Sequence, residues 1–282
     1  MEKLLCPTKL EKLLACTDGS PDSEEAVKAA LALANACNSK VYLMEVIEEL
    51  PLDPELFPLQ EAVVQRERQA LEYLDSWKVE AHKLGVSLET RVVLSETPFT
   101  GIIGAAQEIQ PDLIVMGRHG GSRLYRLFMG NVTARVIIHS PFNVLVVPKD
   151  VSLDFKEIMI ASDGSPASYA AWEEAVKFAQ RLGSRLIAIS VAVSEQEMPV
   201  AQGVIDKLKS DAARAGLKLE ALVRSGRPYE AILQAATERK VDLLVMGALG
   251  LSGLKAFLLG SVTERVIAGA PCAVLVVKEA FH

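Results

Sequence analysis

Two segments of the chain carry glycines at the same unusual spacing. The first begins at Gly117 and reads GRHGGSRLYRLFMGN, and the second begins at Gly247 and reads GALGLSGLKAFLLGS. In both, the second glycine lies three positions after the first, and nine residues separate it from the third. Glycine permits positive φ angles and lets the backbone approach a ligand closely. A helical pattern follows each third glycine, and the free N–H groups of its first turn would attract an anion. The spacing therefore predicts two phosphate-binding loops.

The residue after the third glycine has a second interpretation. Ser261 and Glu264 form an S-x-x-E pattern, which is typical of a capping box at the start of a helix. Asn131 is also a good cap in the first segment. Capping does not explain why three glycines occur at a fixed spacing, or why the same spacing occurs in both segments. The segments match neither G-x-x-x-x-G-K-[ST] nor the dinucleotide pattern G-x-G-x-x-G, so neither of those phosphate loops is predicted.

Two aspartates end apolar runs that read as strands. Asp18 and Asp163 each open the tetrapeptide D-G-S-P. The serine is a preferred N-cap and the proline suits the first helical position, so both predict only the start of a helix. A helix start does not require the aspartate. Its carboxylate could hold a sugar hydroxyl, an adenine edge or a ligand-bound metal ion.

The chain is an internal duplication. PDLIVMGRHG from Pro111 matches VDLLVMGALG from Val241, a shift of 130 residues. KLLACTDGSP from Lys12 matches EIMIASDGSP from Glu157, a shift of 145. Solenoid repeats have periods of roughly 20–50 residues, so a period of this length indicates a duplicated domain.

The duplication predicts two domains, residues 1–149 and 150–282. The first has a short N-terminal extension and a proline-rich insertion near residues 49–60. This insertion is interpreted either as a lid over the first site or as a surface loop. The prolines rule out one continuous helix through the insertion.

Each copy alternates five apolar runs with segments of helical periodicity. This order predicts an α/β fold, a parallel sheet with helices on both faces. Ligands of such sheets bind beyond the carboxyl ends of the strands, where the aspartate and the glycine segment both fall. The last strands, FNVLVVPK from Phe142 and CAVLVVKE from Cys272, would be exposed edges in isolated domains. We therefore expect them to pair within the chain and make an intramolecular pseudo-dimer.

Composition narrows the class of protein. The chain is 50% hydrophobic and 23% charged, with a formal net charge of −6, which argues against a nucleic-acid partner. It has no apolar run of membrane-spanning length and no signal-peptide pattern. The four cysteines show no C-x-x-C or zinc-like spacing. These features predict reduced, mostly buried thiols in a cytoplasmic protein.

The motif G-x2-G-x9-G-[ST], with an aspartate ending the first strand, resembles the nucleotide-binding members of the universal stress protein family. The resemblance covers nearly the whole chain as two tandem domains. It implies a Rossmann-like, five-stranded parallel sheet in each domain, and ATP held by the aspartate and the glycine loop. It also implies contact from a valine of the second strand. The second copy matches the full motif, whereas Asn131 replaces Ser or Thr in the first.

The resemblance implies nucleotide-binding residues in both copies. In the first copy they are Asp18, Val46, Gly117, Gly120, Gly130, Asn131 and Val132. In the second they are Asp163, Val191, Gly247, Gly250, Gly260, Ser261 and Val262. The first loop is also basic, with Arg118, His119, Arg123 and Arg126. Those side chains belong either to a solvated loop or to a phosphate clamp.

The expected ligand is ATP, ADP or AMP together with Mg2+, and the expected role is that of a nucleotide-dependent sensor or effector in the stress response. No catalytic residue is predicted, and any ATP hydrolysis should be slow because no residue is evident that would activate water. Two alternatives stay open at this point: a scaffold for protein partners that binds no nucleotide, and an enzyme with an adenylated intermediate. A homodimer of the full chain also stays open.

Overall fold

The computed structural model describes residues 10–49, 57–119, 129–149, 151, 155–249 and 259–278. The first half contains, in chain order, β1 (Lys12–Thr17), α1 (Pro21–Cys37), β2 (Lys40–Glu48), α2 (Phe57–Lys83), β3 (Ser87–Ser95), α3 (Pro98–Ile109), β4 (Leu113–Gly117), α4 (Asn131–His139) and β5 (Val144–Val147). The second half contains β6 (Glu157–Ala161), α5 (Pro166–Leu182), β7 (Arg185–Ala192), α6 (Met198–Arg214), β8 (Leu219–Ser225), α7 (Pro228–Glu238), β9 (Leu243–Gly247), α8 (Ser261–Gly269) and β10 (Ala273–Val277). The order of elements is the same in both halves.

The ten strands of the described ranges form one sheet, in the order β3-β2-β1-β4-β5-β10-β9-β6-β7-β8. The pairs within each half are parallel. The halves meet where β5 and β10 pair in antiparallel fashion. Leu145 lies opposite Leu275, its own counterpart in the repeat, so a pseudo-twofold axis passes between these two residues. The α/β class and the pairing of the last strands agree with the sequence-based expectation.

The two faces of the sheet carry separate cores because successive strand residues point to opposite sides. Leu13 packs on the face covered by α1, α2, α5 and α6. Leu14 packs on the face covered by α3, α4, α7 and α8. Burying a leucine side chain contributes about 1.5–3 kcal/mol, and strands such as β4 and β9 are buried along their whole length. Both faces are therefore closed, and ligand access is left to the strand ends.

The D-G-S-P segments start helices α1 and α5 as expected. Ser20 is the N-cap of α1 and accepts a hydrogen bond from Ser23 N, and Ser165 does the same for Ser168 N in α5. The glycines before these serines have φ of +73° and +82°, a left-handed conformation that glycine adopts without strain. The chain therefore turns sharply between strand and helix, and this turn sets the position of the aspartate.

Polar contacts also join the halves beside the β5–β10 pair. Arg118 Nη1 donates to Ala270 O at 2.9 Å. Lys278 N donates to Asn143 Oδ1 at 2.9 Å, and Lys278 Nζ donates to Ile137 O. Burial lowers the pKa of Lys278 to about 8. Each of the two cationic side chains thus bonds a carbonyl of the opposite half.

Three of the four cysteines, Cys16, Cys37 and Cys272, are buried, as expected. Burial raises the pKa of Cys272 to about 12 and raises that of Cys16 as well. Within the described ranges, no helix combines the length and the apolar character that a membrane crossing requires.

Candidate functional site

Each half has a large cavity at the carboxyl ends of its strands, where the strand order reverses. The cavity of the first half, here called cavity one, has a volume of about 710 Å³. The cavity of the second half, cavity two, has a volume of about 620 Å³. A further cavity of about 260 Å³ lies elsewhere, beside Lys12 and Glu108 at the amino ends of the strands of the first half. The two large cavities occupy the position at which sheets of this topology bind ligands.

Every described residue of the expected sites lines one of these two cavities. Asp18, Val46, Gly117, Gly130, Asn131 and Val132 line cavity one. Asp163, Val191, Gly247, Gly260, Ser261 and Val262 line cavity two. Gly120 and Gly250 lie outside the described residues, as do Arg123 and Arg126.

The two aspartates have a local structural role in addition to their place in the cavity wall. Asp18 Oδ1 accepts a hydrogen bond from Ser20 N at 3.0 Å, and Asp163 Oδ1 accepts one from Ser165 N at 3.0 Å. Each carboxylate therefore holds the turn that begins the next helix. The sequence interpretation that the helix start does not need the aspartate is incomplete, since the side chain serves both the turn and the cavity.

Gly117 and Gly247 are required for packing between strand and helix. A Cβ on Gly117 would lie 2.9 Å from the carbonyl carbon of Asp22, and a Cβ on Gly247 would lie 2.7 Å from that of Ala167. Neither glycine has a positive φ. The expectation of a positive φ is thus wrong for this position. Glycine is needed here because the backbone packs against the first turn of α1 or α5, and both glycines also line their cavities.

Helices α4 and α8 begin without a side-chain cap. Gly130 and Gly260 are the N-cap residues, with φ of −58° and −61°, and Asn131 and Ser261 are the first helical residues. The capping-box interpretation of Ser261 is therefore wrong, since the N-cap is a glycine with no side chain to accept a hydrogen bond. The first turns line the cavities, and their N–H groups give each cavity wall a partial positive charge.

A threonine fixes each of these helix starts to the neighbouring strand. Thr133 Oγ1 donates to Gly117 O at 3.0 Å, and Thr263 Oγ1 donates to Gly247 O at 3.0 Å. Both threonines are buried and line their cavities. Sequence reasoning missed them, although the repeated triplets NVT and SVT were a signal.

The charged groups around the two cavities differ. His119 lines cavity one, and its Nδ1 lies 3.5 Å from Asp22 Oδ1. The corresponding residues of the second half are Leu249 and Ala167. Arg118 does not line either cavity, and its side chain extends to Ala270 of the other half. The phosphate clamp interpretation of Arg118 is therefore not supported.

Glu45 adds a buried charge close to Asp18. It lies on β2 at 2% exposure and forms an ion pair with Arg66 of α2. Burial raises the pKa of Glu45, the charge of Arg66 lowers it, and the charge of Asp18 raises it. Its counterpart in the second half is Ser190, which lines cavity two. No motif in the sequence would have singled out this pair.

The fold and the cavities define a tandem α/β protein with one candidate ligand site per half. The model of the "Universal stress protein family" matches residues 9–148 and 154–278. The chain belongs to this family.

Individual relatives agree with this assignment. A universal stress protein of Methanocaldococcus jannaschii is 36% identical over 141 residues, covering 44% of this chain and 83% of the relative. One of Mycolicibacterium smegmatis is 27% identical over 291 residues, covering 94% of this chain and 96% of the relative. The crystal structure of a universal stress protein from Archaeoglobus fulgidus superposes with a TM-score of 0.76 at 22% identity, covering 97% of this chain and 100% of the other. That structure supports the tandem fold.

Proposed function

We propose that the chain binds one adenine nucleotide, ATP, ADP or AMP, in each large cavity and acts as a nucleotide-dependent sensor or effector in the stress response. The proposal rests on one observation. Each cavity joins an aspartate at the end of the first strand of its half to an uncapped helix start that follows the glycine segment. A carboxylate at one end and free N–H groups at the other suit the two ends of a nucleotide.

The ends of the cavity would take different parts of the ligand. Asp18 or Asp163 would accept hydrogen bonds from ribose or adenine, and Val46 or Val191 would contact the adenine face. The first turn of α4 or α8 would donate to phosphate oxygens, because the dipole and unpaired N–H groups of a helix N-terminus favour an anion. Gly120 and Gly250 complete the family motif and belong to the same proposal.

Magnesium would arrive with the nucleotide. In the part of the chain that the structure describes, no group of three or more His, Cys, Asp or Glu side chains is arranged to hold a metal ion. Mg2+ commonly binds through one or two carboxylates plus the phosphates of a substrate, so the nucleotide itself would supply most ligands. Hydrolysis would be slow at most, because the repeated motifs supply phosphate donors and no evident residue that would activate water.

The remaining parts of the proposal concern the whole chain. The domains would be residues 1–149 and 150–282, and the protein would act in the cytoplasm. A homodimer of the full chain is also part of the proposal. The competing function is a scaffold for protein partners that binds no nucleotide.

Native mass spectrometry of the freshly purified chain with added ATP tests the proposal. We expect two nucleotides per chain. Asp163→Asn keeps an oxygen acceptor for Ser165 N and removes the charge, so it should leave the helix start intact and weaken binding in cavity two alone. The matched variant Asp18→Asn should do the same in cavity one. A folded parent that takes up no nucleotide would support the scaffold instead.

A further inference from the structure

The two cavities differ in which domain builds them. Every residue that lines cavity two lies between Ala161 and Thr263, within the second half of the chain. Cavity one is lined by residues of the first half and also by Glu264, from α8 of the second half. The first domain therefore forms most of the wall of cavity one, and the second domain completes it.

The pseudo-twofold axis explains how Glu264 reaches cavity one. Ala134 and Glu264 are equivalent residues in the first turns of α4 and α8, on opposite sides of the Leu145–Leu275 pair. Both line cavity one. By the same symmetry, Ala134 is the residue of the first half that would extend toward cavity two. Its methyl group is short and uncharged. One residue difference thus gives cavity one a carboxylate at a position where cavity two would have only a methyl group. The glutamate that does line cavity two, Glu197, lies elsewhere in the chain, and its Oε2 accepts a hydrogen bond from Val193 N at 3.2 Å.

The Glu264 side chain is available to a ligand. It is exposed, and among the described residues it forms no ion pair and no side-chain hydrogen bond. It lines the same cavity as the first turn of α4, the proposed phosphate end. A carboxylate beside phosphate oxygens repels them unless a cation lies between the two. Mg2+ prefers this combination of one carboxylate and phosphate oxygens.

The geometry points to cavity one as an inter-domain site for the magnesium complex of a nucleoside di- or triphosphate, with Glu264 as the carboxylate that binds the cation. Cavity two, which has no corresponding carboxylate, binds the same nucleotide with much less dependence on Mg2+. This inference rests on the proposed nucleotide-binding function. It adds that the two sites of one chain differ in their response to Mg2+ and that the second domain controls the first site.

Single-site chains allow the two cavities to be measured separately. Val191→Trp fills cavity two and leaves cavity one, and Val46→Trp does the reverse, since these equivalent valines line the two cavities. ATP affinity is measured by calorimetry on the full chain, with excess Mg2+ and with EDTA. We expect EDTA to weaken binding about tenfold or more in cavity one and to change cavity two little, a difference of the size of one charge-assisted interaction.

Two substitutions then test the role of Glu264. Glu264→Gln should abolish most of the Mg2+ dependence of ATP binding in cavity one. AMP has a single phosphate, so its affinity should depend little on Mg2+ in the parent or in the variant. Ala134→Glu places a carboxylate at the equivalent position and should transfer Mg2+ dependence to cavity two. Both positions are on the first turn of a helix and neither is buried, so the variants should fold.

The results separate this inference from the proposed function. If neither cavity binds ATP in the parent chain, the proposed function is wrong and the inference goes with it. If both bind but EDTA affects them equally, the nucleotide function stands and the role of Glu264 is overturned. A loss of ATP affinity in Glu264→Gln that is the same with Mg2+ and with EDTA would also overturn it, because Glu264 would then act without the cation.

Discussion

At the scale of single residues, Gly117 and Gly247 show how a motif glycine can serve packing. Both lie where β4 or β9 passes the first turn of a helix. We predict that Gly247→Ala lowers the free energy of unfolding by about 1–3 kcal/mol, because the new methyl group would overlap the backbone of Ala167. Chemical denaturation of the nucleotide-free protein measures this directly.

Gly203 is the matched control for that substitution. It lies within α6, and an added Cβ there would meet no atom within 4 Å. Gly203→Ala should therefore raise stability by about 0.5–1 kcal/mol, the difference in helix propensity. Equal effects of the two substitutions would show that the contact between β9 and α5 is loose, contrary to the packing described.

At the scale of elements, the helices fall into two kinds by the way they begin. Helices α1 and α5 have a serine cap, whereas α4 and α8 begin at an uncapped glycine. Ser165→Ala should cost about 1 kcal/mol of stability because it removes a true N-cap. Ser261→Ala should cost less than about 0.5 kcal/mol, since Ser261 is an exposed first-turn residue. Thermal and chemical unfolding of the two variants compare them.

The same pair of variants separates capping from ligand binding. If the uncapped start of α8 binds phosphate, Ser261→Ala should weaken ATP binding in cavity two while leaving the free energy of unfolding nearly unchanged. Ser165→Ala should lower stability with a smaller effect on affinity. A loss of stability in Ser261→Ala equal to that in Ser165→Ala would restore the capping interpretation that the structure contradicts.

At the scale of the whole molecule, the antiparallel β5–β10 pair makes one ten-stranded sheet from two domains. A half expressed alone would leave β5 or β10 as an apolar edge strand, and such edges pair readily. We predict that residues 1–149 and residues 150–282, expressed separately, each self-associate. Sedimentation velocity at several concentrations tests this, and halves that stay monomeric at high concentration would contradict the importance of the pair.

The partly buried Lys278 makes the stability of the junction between the halves sensitive to pH. Burial lowers its pKa from an ordinary 10.5 to about 8. Between these values the unfolded chain binds a proton that the folded chain does not, so stability should rise with pH across this window, by up to about 3 kcal/mol. Stability rises with pH because the folded state favours the neutral form of this base.

Comparison with a variant that lacks the lysine separates its contribution to the pH dependence of stability from the contributions of other titratable groups. The buried thiols of Cys16 and Cys272 titrate in the opposite sense above their ordinary pKa of 9.0, because burial raises their pKa values. Lys278→Met removes only the lysine contribution. The stability difference between parent and variant, measured by denaturation from pH 7 to 10, should increase with pH in favour of the parent. A constant difference would mean that Lys278 titrates normally.

The amino-acid sequence by itself determined the α/β class, the duplication, the pairing of the last strands and the two sets of cavity-lining residues. It also determined the starts of α1 and α5. These features follow from short-range information: the alternation of apolar runs, the D-G-S-P turn and a glycine spacing repeated at a fixed shift. Such signals act within a few residues, so they are readable without knowing which segments meet in space.

Only the tertiary structure decided what the individual residues of those motifs contact. Gly117 packs against the backbone of Asp22, Arg118 bonds Ala270 of the other half, and Glu264 faces cavity one instead of capping its own helix. In each case the two groups come from separate elements, up to about half the chain apart in sequence. The contact exists because the sheet and its pseudo-twofold axis bring those elements together, and no local propensity encodes that juxtaposition.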